Sequence, residues 1–449
     1  MPRRLHQDRS RLRVVTAVAL GVLALQDFAS AETNLYVEAT AGYTDNLLRL
    51  PDGEADVPVA LGLTGTWIET TRRLSADVEG RVYGVTYLRD NFDDEILGEF
   101  DGALTWWFVP ERFAWVVQNI YDQVATDPFA PISPENRQNM NFVSTGPDMY
   151  VPLGTRTRAY FGGRYESAQY QTVDTDDQRL MGIAGIDRSL SQWSRLGGQA
   201  KTESVDFESD LRPDFDRQEV YVHYEFSREH PSESIENSEY PSLGEQQAEL
   251  MVSVGYAWLS SDSSDSSAPL LRVSIARSLS PRFNLRLELA NEFSDAGTAF
   301  AAGRPPEQSD EGGPVIIPQA GPYEERSGRA AIDYRRPRTV ISLSIGAANQ
   351  QYETIDLDRK FSDVRLTAER RMTQRLTGSA SVTVSKDDYR SGGLDREDTD
   401  TEYQLGMRRE IGRRSSLAII ALHASRSSDN PSNEYDETRG YVVFDYSLR

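Results

Sequence analysis

The stretch RFNLRLELANEF, residues 282–293, decides the fold. Phe283, Leu285, Leu287 and Leu289 fall on one face of an extended chain, and Asn284, Arg286 and Glu288 fall on the other. Successive side chains point to opposite faces only in a β-strand, so a period of two reads as a strand with one apolar and one polar side. The same alternation recurs from the thirties to the end of the chain. In LSADVEGRVYG, Leu74, Ala76, Val78 and Val82 oppose Ser75, Asp77, Glu79 and Arg81. In LTGSASVTVSKDD, Leu376, Ala380, Val382 and Val384 oppose Thr377, Ser379, Ser381, Thr383 and Ser385, and in EYQLGMRRE, Tyr403, Leu405 and Met407 oppose Glu402, Gln404 and Arg408.

The connections alternate as well. One class is tight and carries an arginine: Arg73, Arg112, Arg156, Arg195, Arg282, Arg338, Arg375 and Arg414. Between them lie longer polar stretches such as RDNFDDE, TVDTDDQ, ESDLRPDFD, SSDSSDSSA, SGGLDRED and SSDNPSNEYDE. One gap, between Arg195 and Arg282, is nearly double, and REHPSESIENSEYPSLGE reads as an expanded turn within it. The unit is strand, tight turn, strand, long loop, which gives about twenty strands, with eighteen equally defensible. Many segments are long enough for the roughly 9–11 residues that a tilted strand needs to cross a bilayer. Tandem soluble β-sandwiches would explain the alternation, but not the persistent asymmetry of short turns and long loops. The fold class is therefore all-β: a transmembrane antiparallel β-barrel with short periplasmic turns and long extracellular loops. Closure would pair every backbone amide within the hydrocarbon.

The first residues have the order of a secretory signal peptide. A basic MPRRLHQDRSRLR precedes the uncharged VVTAVALGVLAL, and Ala29 and Ala31 supply the small residues of a cleavage site. Residues 1–31 are expected to leave, and residues 32–449 to form a single barrel domain in the outer membrane of a Gram-negative bacterium. The whole chain carries a net charge of −22, and the mature part would be more acidic still. That excess argues against nucleic-acid binding, which needs clustered Lys and Arg. There is no cysteine, so neither a disulfide framework nor thiolate chemistry is available. Partners expected on these grounds are outer-membrane lipid, lipopolysaccharide and the barrel-assembly machinery.

Opposition to the apolar residues assigns an inner face that includes Asp77, Glu79, Arg81, Arg158, Arg164, Glu166, Lys201, Glu203, Arg272, Arg286, Glu288, Arg329, Asp333, Arg335, Asp363, Arg365, Glu369, Glu402 and Arg408. Glu79, Arg81, Arg158, Arg164, Glu166, Arg286, Glu288, Arg365 and Arg408 are the candidate solute contacts. In a water-filled bore they stay ionised, and guanidinium forks match carboxylates or sulfates. The bland alternative is that they are cross-strand pairs stiffening the wall. Tyr83 and Tyr160 fit either sugar stacking or space filling, with the second preferred. The acidic runs at Asp90, Asp93, Asp94 and Glu95 and at Asp174, Asp176 and Asp177 read as solvated loops rather than Ca²⁺ sites, for want of an EF-hand spacing. No cofactor fingerprint and no metal-ligand cluster is present in the sequence. His223 is expected to point inward, and no serine in a nucleophile motif lies near it, so the chain reads as a non-enzyme. The segment 295–322, with its apolar Val315, Ile316 and Ile317, is the candidate constriction or lid, with an external loop as the equal alternative.

Two stretches carry a resemblance. NLYVEATAGYTDNLLRLPDGEAD, through Gly42, Tyr43, Asp45, Asn46 and Arg49, resembles the opening of the β-barrel porin families found beside exopolysaccharide and PEP-CTERM–exosortase systems of Gram-negative bacteria. The C-terminal RGYVVFDYSLR, with Val442, Phe444, Tyr446 and Leu448 on one face, resembles an assembly signal for the barrel-insertion machinery, although it ends in Leu448-Arg449 rather than an aromatic. The resemblance implies an outer-membrane channel for exopolysaccharide secretion, with polysaccharide and periplasmic export components as partners. The alternatives are a general or substrate-specific uptake porin and a non-conducting scaffold.

Overall fold

The computed structural model describes residues 32–209, 212–228, 248–261, 264–302, 321–353, 358–390 and 395–448. The expected leader, the expected expanded turn after Arg228 and the Val315–Ile317 insert lie outside the described residues. Twenty antiparallel strands follow in chain order. They are β1 (Glu32–Thr44), β2 (Pro58–Thr70), β3 (Leu74–Tyr87), β4 (Glu95–Val109), β5 (Phe113–Val124), β6 (Gln138–Pro152) and β7 (Thr157–Tyr170). Next come β8 (Asp177–Ser189), β9 (Ser194–Phe207), β10 (Phe215–Arg228), β11 (Ala248–Ser261), β12 (Asp265–Ser280) and β13 (Phe283–Ser294). A short helix, α1 (Ala296–Ala301), precedes β14 (Tyr323–Arg336), β15 (Thr339–Tyr352), β16 (Asp358–Arg371), β17 (Leu376–Arg390), β18 (Arg396–Glu410), β19 (Ser415–Ser428) and β20 (Tyr435–Ser447). Each strand pairs with its sequence neighbours, and β1 pairs with β20, so the sheet closes on itself and leaves no edge.

The wall is inverted relative to a soluble protein. Outward positions carry large exposed apolar side chains, among them Leu61, Leu63, Val220, Val222, Val364, Leu366, Leu405 and Phe444, while the alternate positions carry charge. A band of this size stays out of water only by facing hydrocarbon. All nineteen residues assigned inward from the sequence share parity with residues that face the bore, as the cross-strand pairs Arg81↔Glu99, Arg286↔Ala331 and Arg365↔Thr383 illustrate.

The two ends differ, as expected. Among the described connections, those at the arginine end are tight; β12 passes to β13 through residues 281–282 alone, and β16 to β17 through 372–375. At the other end the connection between β13 and β14 covers 295–322. One expected long loop is corrected: SSDSSDSSA is mostly strand. β11 runs to Ser261 and β12 starts at Asp265, with Trp258↔Ser267 and Ser260↔Asp265 in register. Polar composition reports contact with water, and a ladder that rises above the lipid band is polar without being irregular.

The hairpin around Val109-Pro110-Glu111-Arg112 shows how the aromatics divide. Trp106 pairs with Trp115 and points outward, as do Phe108 and Phe113, whose rings stack at 5.4 Å. Trp107 points inward, 5.8 Å from the Tyr150 ring. Glu111 takes a left-handed φ of 62° to close the turn. Indole suits a boundary between lipid and water, and the Trp115 N–H donates to Thr145 Oγ1 at 2.8 Å.

The closure seam is fastened by the motif near the N-terminus. Gly42 lies against β20, where a Cβ would stand 3.0 Å from Tyr441 Cβ. Asp45 Oδ1 accepts from the Thr438 amide at 2.7 Å, and Asn46 Nδ2 donates to the Asp436 carbonyl at 3.0 Å. Arg49, at φ 55°, donates to Glu437 Oε2 at 2.8 Å, and Thr44 donates to the same carboxylate at 2.6 Å.

Candidate functional site

Two segments fill part of the bore from within. Where β13 leaves the wall, Phe293 joins a buried cluster with Val205, Phe215, Ala257, Leu259, Ala268 and Leu270. The chain then enters the barrel as α1. Ala296 and Phe300 pack against Ile120, Val124, Met140, Phe142 and Ala168 on the inner faces of β5, β6 and β7.

Charge fixes the start of this helix. Asp295 is its N-cap and accepts from the Thr298 amide at 3.0 Å and from Thr298 Oγ1 at 2.6 Å. Its carboxylate also meets Arg179 at 2.6 Å and Arg217 at 3.6 Å. Arg217 donates to the Phe293 carbonyl at 2.9 Å and to Glu203 at 2.6 Å, while Arg179 pairs with Asp177 at 2.7 Å. The three central side chains are 1–2 % exposed. Burial pushes the Asp295 carboxyl pKa up, but the two guanidiniums and the Thr298 bonds outweigh it and hold the group below the ordinary carboxylate range. Gly297 is required by close approach, since a Cβ there would lie 2.1 Å from Arg179 Nη2.

A second crossing comes from the loop 125–137. Asn136 ties it together, donating to the carbonyls of Asp127 at 2.8 Å and of Ala130 and Pro131 at 3.2 Å each. Its tip reaches the far wall, where Arg396 donates to the Phe129 carbonyl at 2.5 Å and the Phe129 ring meets Tyr389 edge-on at 4.9 Å. Arg137 anchors the returning end on Glu95 and Tyr87.

What stays open is a crescent of about 2040 Å³. It is bounded by β14 to β20, β1 to β4 and parts of these two crossings, and runs from Tyr435 at the loop end to Arg375 and Arg414 at the turn end. Thirteen arginines and ten carboxylates line it. The crescent is thus net positive within a chain of net charge −22.

The candidate contacts do not form one site. Arg81, Arg365 and Arg408 line the crescent. Arg81 pairs with Glu38 at 2.7 Å, and Arg408 with Asp445 at 2.9 Å. Arg365, at mid-height on β16, makes no ion pair or hydrogen bond among the described residues, and neither does Glu402 on β18. Thr383 lies in register between these two. Glu79 faces the bore from β3 opposite Asp101. Arg158 pairs with Asp187 at 3.4 Å, Arg164 with Asp148 at 2.8 Å, and Arg286 with Asp333 at 3.5 Å. Glu166 accepts from Ser144 at 3.0 Å, and Glu288 stands opposite Arg329. These last five flank the filled half.

The interior tyrosines are engaged with protein: Tyr160 donates to Gln199 at 2.6 Å, and Tyr83 lies under the Arg81 guanidinium. His223 points inward and contacts Asp187 through Nε2 at 3.0 Å. Gly197 leaves the space for that contact, and among the described residues no hydroxyl hydrogen-bonds the ring. Of the acidic runs, Asp177 belongs to the helix clamp, Asp176 accepts from the Tyr170 amide at 2.7 Å, and Glu95 pairs with Arg137.

Sequence reasoning missed Asp295, Arg179, Arg217 and Thr298. Alternation places both arginines inward, and Asp-x-x-Thr ahead of small residues is an N-cap signal. Nothing local says that the three charges meet, because the strands that bring them together are set by the barrel.

No protein-family model matches this chain, and no curated protein does. The solved structures it is similar to include three from Pseudomonas aeruginosa. OccK3 (OpdO) is 11% identical over 93% of this chain and 96% of its own, with a TM-score of 0.40. OccK2 (OpdF) in complex with glucuronate is 12% identical over 93% and 98%, at 0.42. The siderophore receptor PirA is 10% identical over 92% and 80%, at 0.43. At such identities and scores nothing about solute or partner passes to this chain.

Proposed function

We propose that the protein is an outer-membrane channel, with its tight turns in the periplasm, that admits small hydrophilic solutes and favours anions. The observation that carries this reading is the crescent, whose thirteen arginines outnumber its ten carboxylates inside an acidic chain. Arg365 supplies a central guanidinium that forms no ion pair among the described residues. A free guanidinium fork offers paired donors to a carboxylate, and Glu402 and the Thr383 hydroxyl, which also line the crescent, can hold the rest of a polar solute. Passage makes and breaks no covalent bond, and selection rests on width and fixed charge.

The alternative role, a substrate-selective uptake porin, fits this geometry better than export of exopolysaccharide. A loop that crosses the bore and a helix that fills part of it suit a small solute, and a polymer would need an unobstructed path. The test is reversal potential in a potassium chloride gradient across a planar bilayer. Anion preference that falls in Arg365→Gln is expected, whereas sealed membranes after verified insertion overturn the channel. Deletion with assay of secreted polysaccharide separates the roles, since loss of secretion would restore the export reading.

A further inference from the structure

The arginines of the barrel fall into two populations. Most of those on the inner face meet carboxylates. A second set points outward: Arg188 on β8, Arg228 on β10, Arg277 on β12, Arg336 on β14, Arg370 on β16 and Arg409 on β18. Their facing follows from register, because Arg188 pairs with Leu196, Arg277 with Leu285, and Arg409 with Leu417, all on the apolar side. Each is the outward position that directly follows the lipid-facing run of its strand; on β16, Val364, Leu366 and Ala368 lead to Arg370. Even-numbered strands descend toward the tight turns, so the six form one row at that rim. All six are exposed, and none makes an ion pair among the described residues. The row stops at β18. On β20 and β4 the equivalent outward positions carry Tyr446 and Phe108.

The spacing is regular. Arg228 and Arg277 are both in register with Ala248, and Arg336 and Arg370 are both in register with Thr339. Guanidiniums two strands apart, roughly 9.6 Å at the backbone, flank a small residue and leave a gap open to the membrane. Resting on the reading that this exterior lies in a bilayer, we propose that the row binds the phosphates of anionic glycerophospholipid, phosphatidylglycerol or its dimer cardiolipin, in the leaflet at the turn end. Guanidinium forks match phosphate oxygens, and long side chains at a strand end reach the headgroup level. The absence of paired carboxylates in the row, among the described residues, favours a headgroup with no ammonium of its own over phosphatidylethanolamine.

The test uses the full chain in nanodiscs of equal parts phosphatidylglycerol and phosphatidylethanolamine, with the lipid that stays bound after transfer to detergent counted by mass spectrometry. Phosphatidylglycerol should be enriched over its bulk share on the wild type and on K360Q/K386Q, which removes outward lysines at the loop end. In R228Q/R277Q/R336Q/R370Q the enrichment should fall about fivefold or more. No enrichment on the wild type, or full enrichment on the quadruple variant, overturns the proposal. Insertion is scored separately by heat-modifiable migration. A wild-type chain that does not insert overturns the channel reading and this one together, whereas insertion without lipid preference overturns this one alone.

Discussion

Asp295 and Arg179 meet at 2.6 Å inside the barrel, joining the cap of a loop helix to the inner face of β8. This pair and its neighbour Arg217 hold α1 inside the bore, against the inner faces of β5 to β7. Asp295→Asn keeps the shape and a capping oxygen but leaves two buried guanidiniums short of a carboxylate. Breaking such a buried pair costs about 3–5 kcal/mol. The helix is expected to undock, raising single-channel conductance in planar bilayers, while the barrel itself still migrates as a folded species before heating.

The pH response of that clamp has a defined sign. Because the Asp295 carboxyl titrates below its ordinary value in the folded state, its contribution is fully present above about pH 3.9, the unfolded value. It is lost only as pH falls through the lower folded value. Conductance should therefore hold steady from neutrality to about pH 4 and rise only in stronger acid. A transition near pH 6 would show that another group controls the helix.

Gly297→Ala tests the same seat without changing charge. The new methyl would collide with Arg179 Nη2, and that guanidinium is buried between Asp177 and Asp295 with no room to retreat. Conductance should rise as in Asp295→Asn, and its acid dependence should disappear.

Selectivity is expected to move in opposite directions at two positions that lie two strands apart in one register. Arg365→Gln should lower the anion-to-cation permeability ratio, and Glu402→Gln should raise it, each by about two- to fivefold if the removed charge acts at a few ångströms in water. Reversal potentials at low and high salt check this, and the difference should shrink as salt screens the bore.

The seam offers a stability test. Glu437, 2 % exposed, accepts from Thr44 and pairs with Arg49 and Arg439. Glu437→Ala should cost about 3–5 kcal/mol, seen as a lower temperature for loss of the folded band.

The wall was legible in the sequence because its two faces meet different solvents. Phe283 to Leu289 alternate with Asn284 to Glu288, and every inward assignment, from Asp77 to Arg408, follows from that single period. The turn arginines located the tight end for the same reason, as they mark where each apolar run stops. SSDSSDSSA was misread because composition cannot separate a solvated loop from a strand that has risen above the lipid. The clamp stayed hidden for a different reason. Asp177, Arg179, Glu203, Arg217 and Asp295 are scattered over more than a hundred positions, and only closure of the sheet makes them neighbours.

The fastening of Thr44, Asp45, Asn46 and Arg49 to Asp436, Glu437 and Thr438 bears on how the barrel comes into being. These partners come from the first and last hairpins, so the buried carboxylate of Glu437, which has Arg439 beside it on its own strand, gains Arg49 and Thr44 only when the last strand has reached the first. A cylinder short of its final hairpin would leave Arg49 without Glu437 and the Asn46 amide with its local partner Leu50 alone. The opening motif thereby acquires its full set of partners only at the moment the ring shuts.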